Sequence, residues 1–267
     1  MSDIPKIMTQ ILEAPTLEQK YRVFADFMEG EFGYVGVNYG IFLDARSAQA
    51  ISNHFIAKRM GMSSEWREIY QKQGYGRRDL AMMMGAVTKR PILQTQFYQM
   101  QRQDDIPKPY AEVIEGVHDF VKCGVVLPVY ANGRKGVVGL YDPKGDAAKH
   151  DEKYRKYGTL IEALARHLHV SSSWAEETIA QTRLSEMNLR VLRLKARGLR
   201  VKEILHQIER DNPKTVDNHM ARVRRSLGAR NDVEAVAKAA TLGLLEPSGD
   251  PFDHEGADIL PRGIGRT

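Results

Sequence analysis

The chain has a single cysteine, Cys123, among 267 residues. No disulfide can therefore close within it, and no cysteine cluster can hold a metal. The expected state of Cys123 is a buried, inert thiol in a reducing compartment. No apolar run approaches the ~20 residues needed to cross a bilayer. The opening MSDIPKIMTQ lacks a basic stretch followed by an apolar core. These absences predict a soluble, cytoplasmic protein without a membrane partner. The eight histidines show no HExxH spacing, and His167 and His169, two apart on a helical pattern, cannot share a face. Neither catalytic nor metal-ligating residues are assigned, no cofactor is expected, and an enzyme is not predicted.

What is present is a modest net charge of +5, unevenly spread. Residues 184–246 carry about five more Lys and Arg than Asp and Glu, and the last 21 about two fewer. Length and composition suit two compact units and a tail. The predicted boundaries are 1–173 for the first unit, 174–183 for a linker, 184–246 for the second unit and 247–267 for a flexible tail.

In the first unit, Thr16 to Phe32 has helical spacing of apolar residues. The stretches at 33–44, 120–131 and 135–143 are rich in β-branched and aromatic residues. Asn132-Gly133-Arg134 joins the last two as a hairpin. Helical patterns follow at about 64–73, 79–89, 108–119 and 149–168. The fold class expected is α+β: an N-terminal α/β/α sandwich with an antiparallel sheet, then an all-α unit. The amphipathic segment 149–168 fits either a dimer seam or packing within its own unit.

The second unit holds NPKTVDNHMARVRRSLG, residues 212–228. Asn212 suits an N-cap and Pro213 a first helical position. Val216, Met220, Val223 and Leu227 make one apolar stripe. The opposite face carries Lys214, Asn218, Ala221 and Arg225 with Arg222 beside them, while Asp217 and Thr215 lie at the flank. A small residue ringed by amide and guanidinium donors permits close approach to a major groove. Helical runs at 185–197 and 201–209 before it, and at 231–242 after it, complete a helix-turn-helix plan. Periodicity alone also fits a small bundle with a basic surface.

Residues 184–246 resemble the LuxR-type DNA-binding domain through LSEMNLRVLRLKARGLRVKEIL, TVDNHMARVRRSLGARNDVEAVAKA and LGLL. Two features depart from that family's pattern. Asn188 stands where an acidic residue is usual, and the turn IERDNPK is about one residue longer and lacks its glycine. One branch of the family carries a phosphorylated receiver in front, which needs clustered acids at strand ends; here Asp44 stands alone. The other carries a pocket for acyl-homoserine lactones. Trp66, Tyr70, Asp79 and Pro91 resemble that pocket's signature in residue type and spacing, and Gly124 resembles its strand glycine.

An indole N–H can only donate, which suits Trp66 to a lactone carbonyl. An ionised carboxylate can only accept, which suits Asp79 to an amide N–H. Tyr70 offers a ring and a hydroxyl, Tyr75 a further aromatic, and Met82, Met83 and Met84 an adaptable wall. Plain core roles for Trp66, Tyr70 and the methionines stay open, as does an N-cap role for Asp79. Departures from the signature fall at Leu80, Gln94, Met62 and Gly139, where the family has proline, tryptophan, tyrosine and a small hydroxyl residue. The resemblance implies a homodimer on double-stranded operator DNA, a small-molecule autoinducer as ligand, and RNA polymerase as a further partner. Its runner-up is a regulator of the same type that answers a non-lactone ligand or a protein, or that needs no ligand.

Overall fold

The computed structural model describes residues 3–44, 46, 55–61 and 63–245. Met62 and the tail 247–267, both singled out in the sequence, lie outside them. A five-stranded antiparallel sheet in the order β2-β1-β5-β4-β3 forms the middle layer. Its strands are β1 (Gly36–Phe42), β2 (Phe55–Met60), β3 (Ile92–Leu93), β4 (Cys123–Ala131) and β5 (Arg134–Asp142). One face is covered by α1 (Ile4–Glu13), α2 (Leu17–Phe32) and α7 (Ala147–Ser171). The other is covered by α3 (Ser64–Lys72), α4 (Leu80–Val87), α5 (Gln94–Arg102) and α6 (Lys108–His118). This is the α/β/α arrangement the strand and helix patterns predict.

Strand alternation divides the chemistry of the two faces. Val37, Tyr39, Ile41, Val138 and Leu140 enter the larger core beneath α1, α2 and α7. Asn38, Val126, Val137, Gly139 and Tyr141 point the other way, into a cavity. The β4–β5 hairpin turns at Asn132 and Gly133, with φ of 51° and 73°. Two consecutive left-handed residues give a turn whose twist matches that of the strands.

Buried residues of α7, among them Ile161, Leu164, Ala165 and Leu168, pack into the core of their own unit. The apolar stripe of this segment thus packs within its own unit. Cys123 is fully buried, and burial pushes its thiol up to about 12, so it stays protonated at neutral pH.

The C-terminal helices are α8 (Ala175–Thr182), α9 (Glu186–Ala196), α10 (Val201–Gln207), α11 (Pro213–Leu227) and α12 (Asp232–Leu242). The segment 174–183 thus carries a helix, and Trp174 at its start is fully buried. Arg134, at the end of the hairpin, donates to the Thr241 carbonyl of α12 (2.8 Å) and to the His169 and Ser172 carbonyls closing α7 (2.6 and 2.9 Å). No helix among the described residues is long and apolar enough to cross a membrane.

A buried polar chain ties α7 and Trp174 to the sheet. The Trp174 indole N–H donates to the Tyr39 hydroxyl at 3.1 Å, and the Tyr39 O–H donates to His169 Nδ1 at 3.1 Å. His169 Nε2 lies 3.0 Å from the Arg134 carbonyl, which can only accept, so Nε2 carries the proton. Among the described residues, a protonated Nδ1 would have no acceptor unless the tyrosine reversed. Burial accordingly lowers the His169 pKa from 6.5 to about 4.

Between those values the unfolded chain binds the extra proton and the folded one does not. Stability from this group is therefore full above pH 6.5 and is lost as pH falls toward 4, up to roughly 3 kcal/mol. Thermal melting from pH 7 to pH 4.5 is expected to show a steeper decline in the wild type than in His169→Gln. Parallel declines would remove His169 from the account.

Candidate ligand pocket and nucleic-acid face

On the α3–α6 side of the sheet, a cavity holds about 1070 Å³ of empty space with its open mouth included. Its walls are mostly aliphatic or aromatic, with Phe97, Val113, Ile114, Val117 and Val126 among them. Polar groups in its lining include Trp66, Tyr70, Asp79, Asn38, Tyr141 and Arg59, with Arg67, Gln71 and Gln94.

Local chemistry places each of the expected groups. The Ser63 hydroxyl caps α3 by accepting from the Trp66 N–H at 3.0 Å, which fixes the helix whose face carries Trp66 and Tyr70. These two rings meet edge to face at 5.7 Å. Trp66 is 5% exposed and also packs against Phe120 at 5.2 Å. Asp79 is the N-cap of α4, accepting from the Met82 N–H at 3.1 Å through Oδ1. The Tyr70 O–H donates to its other oxygen, Oδ2, at 2.9 Å. The cap reading is therefore correct, and it leaves the pocket reading intact. A carboxylate has about four lone-pair directions, so capacity for a further donor remains.

Burial raises the Asp79 pKa, while its hydrogen bonds and nearby Arg59 work in the opposite direction. The Tyr70 phenol is pushed up by burial and by the adjacent Asp79, so it remains a donor.

Gln94 is 4% exposed and lines the cavity, as does Gly139. Tyr75 does not line the cavity itself and packs against Trp66, which does, with ring centres 5.8 Å apart. The methionine run also divides. Met82 lines the cavity, whereas Met83 and Met84 do not. A helix turns about 100° per residue, so three successive side chains cannot form one wall. Asn38, Arg59 and Tyr141 were not singled out in the sequence, although period-two alternation along β1 and β5 puts Asn38 and Tyr141 on one side of the sheet with Gly139.

The second candidate site is the outer face of α11. Val216, Met220, Val223 and Leu227 are buried, and burial of each contributes on the order of 1.5–3 kcal/mol. Packing, not the outward residues, therefore holds the helix. Lys214, Asp217, Asn218, Arg222 and Arg225 are exposed, with Thr215 and Ala221 half-buried between them. Asn212 caps the start by accepting from the Lys214 N–H at 3.0 Å, and Gly228 ends the helix at φ 61°.

Both departures of this unit have a local explanation. Asn188 accepts from the Ser185 N–H at 3.1 Å, completing the α9 capping box, and its Nδ2 donates to His219 Nδ1 of α11 at 2.9 Å. An amide both accepts and donates, so it can join the two helices to a neutral imidazole. Glu209 takes the left-handed φ of 54° in the turn where the family's glycine is missing.

The family model described as "Bacterial regulatory proteins, luxR family" matches residues 182–239. These C-terminal helices are a LuxR-family helix-turn-helix domain, the DNA-binding part of a transcription regulator. No curated protein matches the chain in sequence. Among solved structures, Escherichia coli SdiA is similar at 14% identity, over 91% of this chain and 98% of that one, with a TM-score of 0.48. SdiA in complex with octanoyl-rac-glycerol gives 13%, 93%, 100% and 0.47. CepR2 from Burkholderia cenocepacia, described as an N-acylhomoserine lactone dependent LuxR family transcription factor, gives 16%, 61%, 90% and 0.45.

Proposed function

Starting from a C-terminal helix-turn-helix domain of the luxR family, we propose that the chain is a ligand-responsive transcription regulator. Its signal is an N-acyl homoserine lactone or a close variant, held in the cavity beneath the sheet. The observation that carries this reading is the Asp79 carboxylate, fixed by the α4 cap and the Tyr70 hydroxyl in the wall of a mostly apolar cavity that Trp66 shares. Asp79 accepts the ligand's amide N–H, Trp66 donates to the lactone carbonyl, and the aliphatic wall takes the acyl chain. The resemblance of Trp66, Tyr70, Asp79 and Pro91 to the lactone-pocket signature supports the same assignment.

On DNA, the protein works as a homodimer, with Asn218, Ala221, Arg222 and Arg225 of α11 facing base edges and Lys214 a phosphate. Occupancy acts by favouring one arrangement of the two DNA-reading helices, since a ligand can shift only an equilibrium whose states it binds unequally. A second reading, a regulator of the same type with a more polar, non-lactone signal, is favoured by one observation: the buried Gln94 amide in the cavity wall.

Thermal melting against a panel of acyl- and aryl-homoserine lactones tests the proposal. A cognate lactone at about 100 times its Kd is expected to add ~2.7 kcal/mol, a shift of several degrees. Folded, empty protein that shifts with no lactone would refute it.

A further inference from the structure

Three residues of the cavity's sheet wall make an arrangement that the lactone signature does not include. Asn38 of β1 lies opposite Gly139 of β5 in the ladder register. Its Oδ1 is buried without a hydrogen-bond partner among the described residues. Leaving such an acceptor dry and unpaired is unfavourable. Next to it, Tyr141 follows Gly139 by two residues, on the same face of β5. A Cβ at residue 139 would collide with the Tyr141 hydroxyl and sit 2.6 Å from its Cζ. Across the β4–β5 ladder, a Cβ on Gly124 would sit 2.9 Å from Tyr141 Cδ1. Two glycines therefore make the seat for one tyrosine ring, and its hydroxyl fills the space a side chain at 139 would take.

That hydroxyl therefore lies beside the residue facing Gly139 across the ladder, Asn38, and both line the same cavity as Asp79. Burial pushes the phenol up, so it keeps its proton. With the Asn38 amide turned so that Nδ2 donates to the tyrosine oxygen, two functions remain for the cavity. One is a donor, the Tyr141 O–H. The other is an acceptor, Asn38 Oδ1.

We infer that Asn38 and Tyr141 form a second recognition point that selects an N-acyl ligand whose acyl chain carries a hydroxyl group within a few bonds of the amide. The ligand hydroxyl donates to Asn38 Oδ1, and the Tyr141 O–H donates to the acyl carbonyl oxygen. The inference rests on the lactone reading above and adds to it the chain chemistry. Tyr141 and Asn38 line the same cavity as Asp79, which holds the amide, and this places the hydroxyl within a few bonds of it.

The test uses homoserine lactones of one chain length in three forms: unsubstituted, 3-oxo and 3-hydroxy. Their affinities for the full chain are measured by calorimetry. The wild type is expected to bind the 3-hydroxy form at least about tenfold more tightly than the unsubstituted one. In Asn38→Ala that ratio falls to about one, since the acceptor is gone. In Tyr141→Phe the ring stays seated and all three forms weaken together. If the alanine variant is misfolded by circular dichroism, Asn38→Leu, closer in volume, gives the same ratio.

Equal binding of the three forms by the wild type, or a preference unchanged in the Asn38 variants, overturns the inference. If such binding is nevertheless lost in Asp79→Ser and Trp66→Phe, the lactone reading stands without it. Failure of all three forms to bind wild-type protein overturns both.

Discussion

Asp79→Ser is expected to fold and yet lose its response to ligand. Serine caps a helix about as well as aspartate does, so α4 keeps its start. Removed are the carboxylate that accepts the ligand amide and the partner of the Tyr70 hydroxyl. A hydrogen bond to a charged group contributes ~1.5–3 kcal/mol, which corresponds to binding weaker by roughly ten- to 150-fold. At a lactone concentration that stabilises the wild type by several degrees, the variant should show little or no shift.

Asp79→Ala separates the two duties of this residue further. It loses the cap as well, and its ligand-free stability should fall by about 1 kcal/mol relative to the serine variant. Melting curves with and without ligand measure both quantities. An undiminished ligand shift in Asp79→Ser would mean that the carboxylate is only a cap.

On DNA, Asn218→Ala and Lys214→Ala are expected to fail in different ways. Both residues are exposed on a helix held by its buried stripe, so neither change should move stability by more than about 0.5 kcal/mol. An asparagine amide reads a base edge with two hydrogen bonds. Its loss should cost ~1–3 kcal/mol on the preferred sequence and little on others. Lysine meets phosphate as a point charge. Its loss should weaken all sequences alike and lower the salt slope of log K by about one. Anisotropy titrations across a salt series, on DNA selected by the protein from a random library and on scrambled controls, separate the two patterns. Equal loss on both DNAs for Asn218→Ala would assign it to the backbone.

Much of this architecture can be read from the residues because local and tertiary signals agree. In α11 the cap at Asn212, the proline at the first turn and the stripe from Val216 to Leu227 all point to one helix, and all four stripe residues are buried. The Asn132-Gly133 hairpin is equally plain, since few residue pairs tolerate two left-handed positions. The edge strand β2, FIAKRM, is not legible: apolar and basic residues are mixed, and among the described residues only β1 pairs with it. The short helix α8 follows a serine run that reads as a break. Trp174, whose burial anchors that segment, reaches Tyr39, which is 135 residues distant in the chain. No local pattern carries a contact of that range.

For the pocket, Trp66, Tyr70 and Asp79 line one cavity together with Gln94 and Gly139, two positions where the chain departs from the signature. Asn38 and Tyr141 were missed because alternation tells which residues share a face of a strand, not which face is filled by a core and which meets a cavity.

The central claim is that a molecule in the Trp66–Asp79 cavity alters what α11 does on DNA. The most direct measurement is the affinity of the 267-residue chain for its selected DNA, at one fixed salt concentration, with and without a saturating lactone shown to bind. The account predicts a change of at least about fivefold, the low end of ordinary coupling between two sites. It also predicts loss of that change in Asp79→Ser. Identical DNA affinity with the cavity filled and empty would contradict it.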